Sequence, residues 1–491
     1  MRLEHILYSR EQLRRLDRLA ATTTEVGSSL ALMERAGAAA YRCLRLRWPA
    51  ARRLCVVAGI GNNAGDGYVV ARLAQADGID VTVLQLGDAT RFQGDALTVF
   101  ERYRANGGLV VEFDPERLTS SELIVDALFG IGLDRPVTGA WLQAVRAVNA
   151  AKAPVLALDI PSGVQADTGA VLGGVVKATA TVTFIGLKKG LYTGAGSACA
   201  GDIVFASLGV PESVYSQVPI AGRLLDAAEC RARLAPRPRD AHKGLFGHVL
   251  VVGGELGMGG AVRMASEAAL RIGAGLVTVA TRGAHVTAVL AARPEAMCFA
   301  IEDAEQLAPL LERASVVVVG PGLGQTAWSK AVWQKALTFS GPMLVDADGL
   351  NLLARQPIMR DNWVLTPHPG EAKRLLGGED VQADRYAAAA HISRRYGGVC
   401  VLKGAGTVVQ GPTGDAAVCY AGNPGMASAG MGDVLSGVIG GLLAQGLAPE
   451  DAAEVGVQLH AEAADRAAVR GERGLLATDL FPYFCASECP L

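Results

Sequence analysis

The run Leu54-Cys55-Val56-Val57-Ala58-Gly59-Ile60-Gly61-Asn62-Asn63-Ala64-Gly65-Asp66-Gly67 decides the fold of the first half of the chain. Residues 54–58 are apolar and rich in valine, and read as a short strand buried on both faces. The glycines that follow mark a tight turn where backbone can approach another group closely. The Ala/Val/Leu pattern of 67–76 then reads as a helix. Working outward, the same unit recurs. Residues 81–86, 123–126, 155–159 and 180–184 read as strands, with a helical pattern at 140–151. Strands alternating with helices imply parallel pairing and a doubly wound α/β sheet.

The alternation stops near 210–240, where RARLAPRPRDAHKG (231–244) carries two close prolines and mixed charge, as a linker does. It restarts with strands expected at 248–252, 276–280, 316–319, 343–346, 363–366 and 399–402. The expectation is therefore an α/β protein of two domains, 1–220 and 221–491. The two halves share the order strand, glycine turn, helix, which is common supersecondary logic and does not establish a repeat.

Composition narrows the function classes. The 491 residues include 60 glycines, about 12 % against a usual ~7 %, so bare backbone is expected at many turns. The formal net charge of −2 gives no electrostatic case for nucleic acid or an anionic membrane as partner. The longest charge-free runs, 416–432 and 434–449, fall short of the roughly 20 apolar residues of a span and are broken by Gly and Pro. The first residues, MRLEHILYSREQLRRLDRL, read as an amphipathic helix without the apolar core of a signal peptide, which points to the cytoplasm. The nine cysteines are scattered with no CxxC pair; Cys485 and Cys489 lie in a C-terminal tail with no nearby histidine.

Four polar residues stand at expected strand ends: Asn63, Asp126, Asp159 and Ser162. Ligands of open α/β sheets bind at the carboxyl ends of strands, although a strand-end Asp or Ser is about as often a helix cap. The turn spacing is GxGxxxG, and the next strand ends Leu84-Gln85-Leu86 without a ribose-binding acid, which disfavours an ordinary dehydrogenase. Late in the chain, Asn423-Pro424-Gly425-Met426-Ala427-Ser428-Ala429-Gly430-Met431-Gly432-Asp433 precedes a helix expected to begin near Asp433. Its amides would form an anion hole, and the carboxylate could take a hydroxyl proton. Leu402-Lys403-Gly404-Ala405-Gly406-Thr407, GPGLG (320–324), DADGLN (346–351) and TPHPGE (366–371) are further strand-end loops. The chain lacks GxxxxGK[ST], so it is not a P-loop kinase. A lone histidine such as His368 is more often structural, but two flanking prolines hold it at the rim.

GxGNNxGDG, DALFGIGL and DIPSG together resemble the NAD(P)H-hydrate epimerase family. The resemblance implies that Asn62, Asn63, Ala64, Gly65, Asp66, Gly130, Ile131, Gly132, Leu133, Asp134, Arg135, Pro136 and Asp159 hold the substrate. It implies that Asn63, Asp126 and Ser162 hold potassium, and Asp159 is the candidate acid/base. In TFIGLKKGLYTG, Lys188 or Lys189 is either a helper or one of a solvated pair. The second half resembles the ribokinase-like superfamily and, within it, the ADP/ATP-dependent NAD(P)H-hydrate dehydratases. That resemblance places the hydrate at Ala261, Gly322, His368 and Asp433. It places the nucleotide at Lys403, Gly404, Ala405, Gly406, Thr407 and Gly432, with magnesium accompanying ADP or ATP. Asp433 is the catalytic base and Glu371 a candidate indirect magnesium contact. The expected architecture is thus a Rossmann-like three-layer α/β/α domain followed by a ribokinase-like one. The implied partners are NADHX, NADPHX and ADP or ATP, and the implied assembly is a homo-oligomer, tetramer or larger. A small-alcohol kinase, or a dinucleotide-binding scaffold without turnover, would share many of these residues.

Overall fold

A computed structural model describes residues 2–484, so Cys485 and Cys489 lie outside the described residues. The chain divides into two compact units, Met1–Arg223 and Leu224–Leu491.

The first unit contains β1 (Ile6–Tyr8), β2 (Arg53–Ala58), β3 (Asp80–Gln85), β4 (Leu109–Glu112), β5 (Leu123–Ala127), β6 (Val155–Leu158), β7 (Ala180–Phe184), β8 (Leu187–Lys188), β9 (Asp202–Ala206) and, at its end, β10 (Gly222–Leu224). Seven strands form one parallel sheet in the order β4-β3-β2-β5-β6-β7-β9. β1 pairs separately with β8 and β10. Burial explains why β2 is apolar throughout. Leu54, Val56 and Ala58 pack into the core under the helices Ser29–Arg47, Asn62–Ala76 and Gly94–Ala105, while Cys55 and Val57 pack into a second core against Gly139–Ala150. Successive side chains face opposite layers, so a two-sided sheet needs apolar residues at both.

The helix after β2 starts at Asn62, five residues earlier than the composition of GNNAGDG suggests. Glycine, Asn and Asp are poor helix formers, but Ala64, Tyr68 and Val69 are fully buried and their packing overrides local preference. Gly59 is required for a separate reason: a Cβ there would lie 2.2 Å from the carbonyl oxygen of Leu128. The chains leaving β2 and β5 touch at that point.

The stretch 210–240, expected as linker, holds structure of its own: β10 and the helix Ala227–Ala232, capped by Asp226. The second unit then contributes β11 (His248–Val252), β12 (Leu276–Thr281), β13 (Met297–Ala300), β14 (Val316–Val319), β15 (Met343–Val345), β16 (Trp363–Leu365), β17 (Val399–Leu402), β18 (Thr407–Gln410) and β19 (Ala417–Cys419). Their order is β13-β12-β11-β14-β15-β16-β17-β18-β19, parallel up to β17 and antiparallel beyond. Val249, Val251, Val316 and Val318 pack against the helices Gly259–Arg271, Met431–Ala444 and Pro449–Ala467. No helix among the described residues is long and apolar enough to cross a membrane.

Candidate active sites

Strand order reverses between β2 and β5 in the first unit and between β11 and β14 in the second. Such switch points open a crevice at the carboxyl edge of a parallel sheet.

In the first unit a cavity of about 1240 Å³ fills that crevice. The helix Asn62–Ala76 points its N-terminus into it. Gly61 caps that helix without a side-chain hydrogen bond, so first-turn amides are left to face an anion. The loop after β5, including Gly130, Asp134 and Arg135, forms the facing wall. Ala64 and Gly65 are buried behind the first turn. Gly130 sits between two of the expected groups: a Cβ there would lie 3.5 Å from Asn63 Cβ and 3.7 Å from Asp159 Oδ2.

Asn63, Asp126 and Ser162 are brought together through the backbone of one residue, Phe129. The Phe129 amide donates to Ser162 Oγ at 2.9 Å, and Asn63 Nδ2 donates to the Phe129 carbonyl at 2.9 Å. Ser162 donates its hydroxyl to Asp126 Oδ1 at 2.6 Å and its amide to Asp126 Oδ2 at 2.8 Å. Asp126 is the last residue but one of β5 and wholly buried; burial pushes its carboxyl up to about 6, against the pull of the Ser162 and Leu128 hydrogen bonds. Asn63 Oδ1 is buried with no hydrogen-bond partner. An orphaned amide oxygen beside a carboxylate and a hydroxyl is a hard-oxygen set that fits an alkali cation.

Asp159 follows β6 with φ +66°, the left-handed region that a branched polar residue adopts only at a cost of about 1–3 kcal/mol. That turn aims its carboxylate at Lys188. The lysine is not half of a solvated pair: its side chain is 2 % exposed, it pairs with Asp159 Oδ1, and it donates to the Phe184 carbonyl at 2.9 Å. Two further acids face the same space. Burial, then Asp159 and Asp17, push the Asp66 carboxyl well up against the pull of Lys188. Asp17 is pushed to about 6 by burial and by Asp159; the surface it exposes is cavity wall. Burial and mutual repulsion thus favour the protonated forms of Asp66 and Asp17, so the cluster can hold exchangeable protons near neutral pH. Asp17 carries no motif in the sequence: it stands among the arginines of the N-terminal helix Arg10–Ala21, and only the fold turns it to the cavity.

In the second unit the hub is Asp346, at the end of β15 and 1 % exposed. Its Oδ1 accepts from Lys403 Nζ at 2.7 Å and Thr366 Oγ1 at 2.9 Å, and its Oδ2 accepts from Ser436 Oγ at 2.9 Å. The helix expected near Asp433 begins at Met431, after Gly430 in the left-handed region with φ +90° and no side-chain cap. A Cβ on Gly432 would lie 3.2 Å from Lys403 Nζ. Asp433 stands in this first turn. Burial and the neighbouring Asp346 push its carboxyl up to about 7, with Lys403 opposing and Glu371 adding. Burial pulls Lys403 down, but Asp346 and Glu371 outweigh it and hold the ammonium charged.

The loop holding Lys403, Gly404, Ala405, Gly406 and Thr407 is a hairpin turn from β17 to β18, closed by Thr407 Oγ1 donating to the Gly404 carbonyl at 3.0 Å. Arg385, fully buried, donates to the carbonyls of Leu402 and Lys403 at 3.1 and 3.2 Å and so fixes the loop from beneath. Ala261 and Gly322 meet at the switch point, where a Cβ on Gly322 would lie 3.1 Å from that of Ala261. His368 follows β16 and caps the helix Pro369–Leu375: its Nδ1 accepts from the Gly370 amide at 2.9 Å, while Glu371 accepts from the His368 amide at 2.8 Å. The ring is half exposed, so this capping role leaves one face open at the rim.

The model of the NAD(P)H-hydrate dehydratase family matches residues 249–485. That of the YjeF-related protein N-terminus matches residues 29–190. The bifunctional NAD(P)H-hydrate repair enzyme of Coxiella burnetii is 50 % identical over 482 residues, 97 % of this chain and 98 % of that protein. The Escherichia coli protein of the same name is 46 % identical over 483 residues, 98 % and 93 %. Among solved structures, a ribokinase-like superfamily protein from Enterococcus faecalis superposes with a TM-score of 0.52 at 30 % identity, over 55 % of this chain and 95 % of that one. A Streptococcus mutans protein does so with a TM-score of 0.51 at 29 % identity, over 54 % and 100 %. With relatives matched over nearly their whole length and a family model on each unit, the chain belongs to the bifunctional NAD(P)H-hydrate repair enzymes, an epimerase unit followed by a dehydratase unit.

Proposed function

We propose that the first unit interconverts the two epimers of hydrated NADH and NADPH, and that the second returns the S epimer to NADH or NADPH at the expense of ADP or ATP. The observation that carries the reading is Asp433, poised near neutral pH in the uncapped first turn of a helix beside the Lys403–Asp346 pair.

In the first unit, the amides opening the helix Asn62–Ala76 and the facing loop from Gly130 to Pro136 would seat the phosphates of the dinucleotide. Asp159, its charge held by Lys188, would carry a proton at the nicotinamide end. Asn63 Oδ1, Ser162 Oγ and Asp126 would hold potassium, which supplies a fixed positive charge beside the phosphates.

In the second unit, the bare edge at Ala261 and Gly322, with His368 at the rim, would seat the hydrate. Lys403 and the loop through Thr407, with Gly432, would take the nucleotide. Asp433 accepts the proton of the ring hydroxyl as that oxygen attacks the terminal phosphoryl group, and the first-turn amides steady the charge that develops. Phosphate then leaves with a ring proton, restoring the dihydropyridine, and the donor ends as AMP from ADP or ADP from ATP. The described residues hold no cluster of three or more His, Cys, Asp or Glu suited to a metal. Magnesium would ride on nucleotide phosphates and water, where it would neutralise phosphate charge. The same reading expects a cytoplasmic homo-oligomer, tetramer or larger, which a native-mass measurement checks.

The test is to incubate mixed NADHX epimers with ADP or ATP and follow the absorbance of the reduced ring. Recovery of both epimers supports the reading. Recovery of one removes the epimerase, and a stable phosphorylated product without recovery makes the second unit a kinase. Asp433→Asn should abolish dehydration and leave epimerisation intact.

A further inference from the structure

A second cavity, of about 710 Å³, lies in the second unit between the helices Ala347–Arg355 and Pro369–Leu375. Its charged lining is wholly basic: Arg355, Lys373 and Arg374. Several arginines of the unit are neutralised by carboxylates, Arg293 by Glu267, Arg231 by Glu462, and Arg233 by Asp451 and Glu454, whereas Arg237 and Arg360 are held by amide and carbonyl oxygens. Arg355 and Arg374 also lack a carboxylate. Arg355 is held by the amide oxygen of Gln325, and Arg374 by that of Asn351 at 2.8 Å. Among the described residues Lys373 makes no ion pair. The nearest acid in the network is Asp348, and it is occupied: its Oδ2 accepts from the Gly324 amide at 2.9 Å, and its Oδ1 from Gln325 and Asn351 at 3.2 and 3.1 Å. Asp348 thereby orients the two amides whose oxygens hold the guanidiniums. The arrangement fixes two planar donor groups and leaves their charge unspent, which is what a phosphate group requires.

The position of the cavity selects the ligand. Gln325 stands three residues beyond Gly322, and Gly370 two beyond His368, so the groove continues the hydrate side of the crevice. Lys403 and the nucleotide loop follow a different strand, β17. We propose that Arg355, Arg374 and Lys373 form a seat for a phosphate group of the dinucleotide hydrate, either the ribose 2′-phosphate or the pyrophosphate bridge. The proposal rests on the dehydratase reading above.

The test compares R355Q/R374Q with the parent chain in dehydration of the S epimers of NADPHX and NADHX at saturating nucleotide. Both residues are exposed, and a thermal melt confirms that the variant folds. A KM raised on the order of tenfold for NADPHX alone assigns the 2′-phosphate; an equal rise for both hydrates assigns the pyrophosphate. In either case kcat is kept. Unchanged KM for both hydrates, or a rise only in KM for the nucleotide donor, overturns the proposal. If the parent chain dehydrates neither hydrate, it is the dehydratase reading that fails.

Discussion

Replacing Glu371 by Gln removes one negative charge that helps keep Asp433 protonated, and leaves the shape of the site unchanged. Glu371 is buried and caps the helix Pro369–Leu375, accepting from the His368 amide at 2.8 Å. A glutamine oxygen can keep that bond, at the expense of the half-exposed contact with the His368 ring. Glu371 is the smallest of the named influences on Asp433, after burial, Asp346 and Lys403. A weak contribution of this kind is on the order of 1 kcal/mol, or somewhat under one pH unit. Asp433 would then titrate below the parent's value of about 7. A base works only when ionised, so dehydration falls as pH drops through this value. Below pH 7 the variant keeps more of Asp433 ionised, and at pH 6 it should run several-fold faster than the parent when each is scaled to its own plateau. The assay is kcat/KM for dehydration across pH 5.5 to 8.5. A midpoint that stays put or moves up refutes the electrostatic account. A collapse at every pH would instead mark Glu371 as a contact of the nucleotide's magnesium.

Three other outcomes follow from the first unit. Lys188→Met leaves Asp159 without its buried ammonium; epimerisation should fall at least a hundredfold while dehydration of the S epimer is kept, and chemical denaturation should show a loss of about 2 kcal/mol. Gly59→Ala pushes a methyl group to within 2.2 Å of the Leu128 carbonyl and should cost about 3 kcal/mol, read as a lower unfolding midpoint in urea. Potassium should raise the thermal midpoint of the full chain in a concentration-dependent way, and Asn63→Leu, which removes the orphaned oxygen, should abolish the rise; an equal rise in both chains would argue against a site there.

How much of this was legible in sequence depends on what each residue answers to. The strands were readable because both faces of each parallel sheet are buried, so Val56 and Val57 must both be apolar. Asp126, Asp159 and Ser162 were readable because a parallel sheet delivers its strand ends to one rim. Lys188 was not: beside Lys189 it looks like a surface pair, and only the turn between β7 and β8 buries it against Asp159. Asp346 was seen as part of a loop, but its service to Lys403, Thr366 and Ser436 depends on three elements far apart in sequence. Nothing in its local sequence marks Arg385, and its hold on the nucleotide loop arises only when its helix packs behind β17. The start of the helix at Asn62 was missed because local propensity opposes it and tertiary packing prevails.

Two separate sites on one chain act in sequence on one substrate in this reading. It is tested most directly by supplying the R epimer of NADHX alone, with ADP or ATP, to the parent chain, to Asp159→Asn, to Asp433→Asn and to an equal mixture of the two variants. Rapid return of NADH is expected with the parent chain, only the spontaneous rate of epimerisation with Asp159→Asn, no NADH with Asp433→Asn, and restored return with the mixture. Return of NADH by Asp433→Asn alone, or failure of the mixture while each variant keeps its other activity, would contradict it.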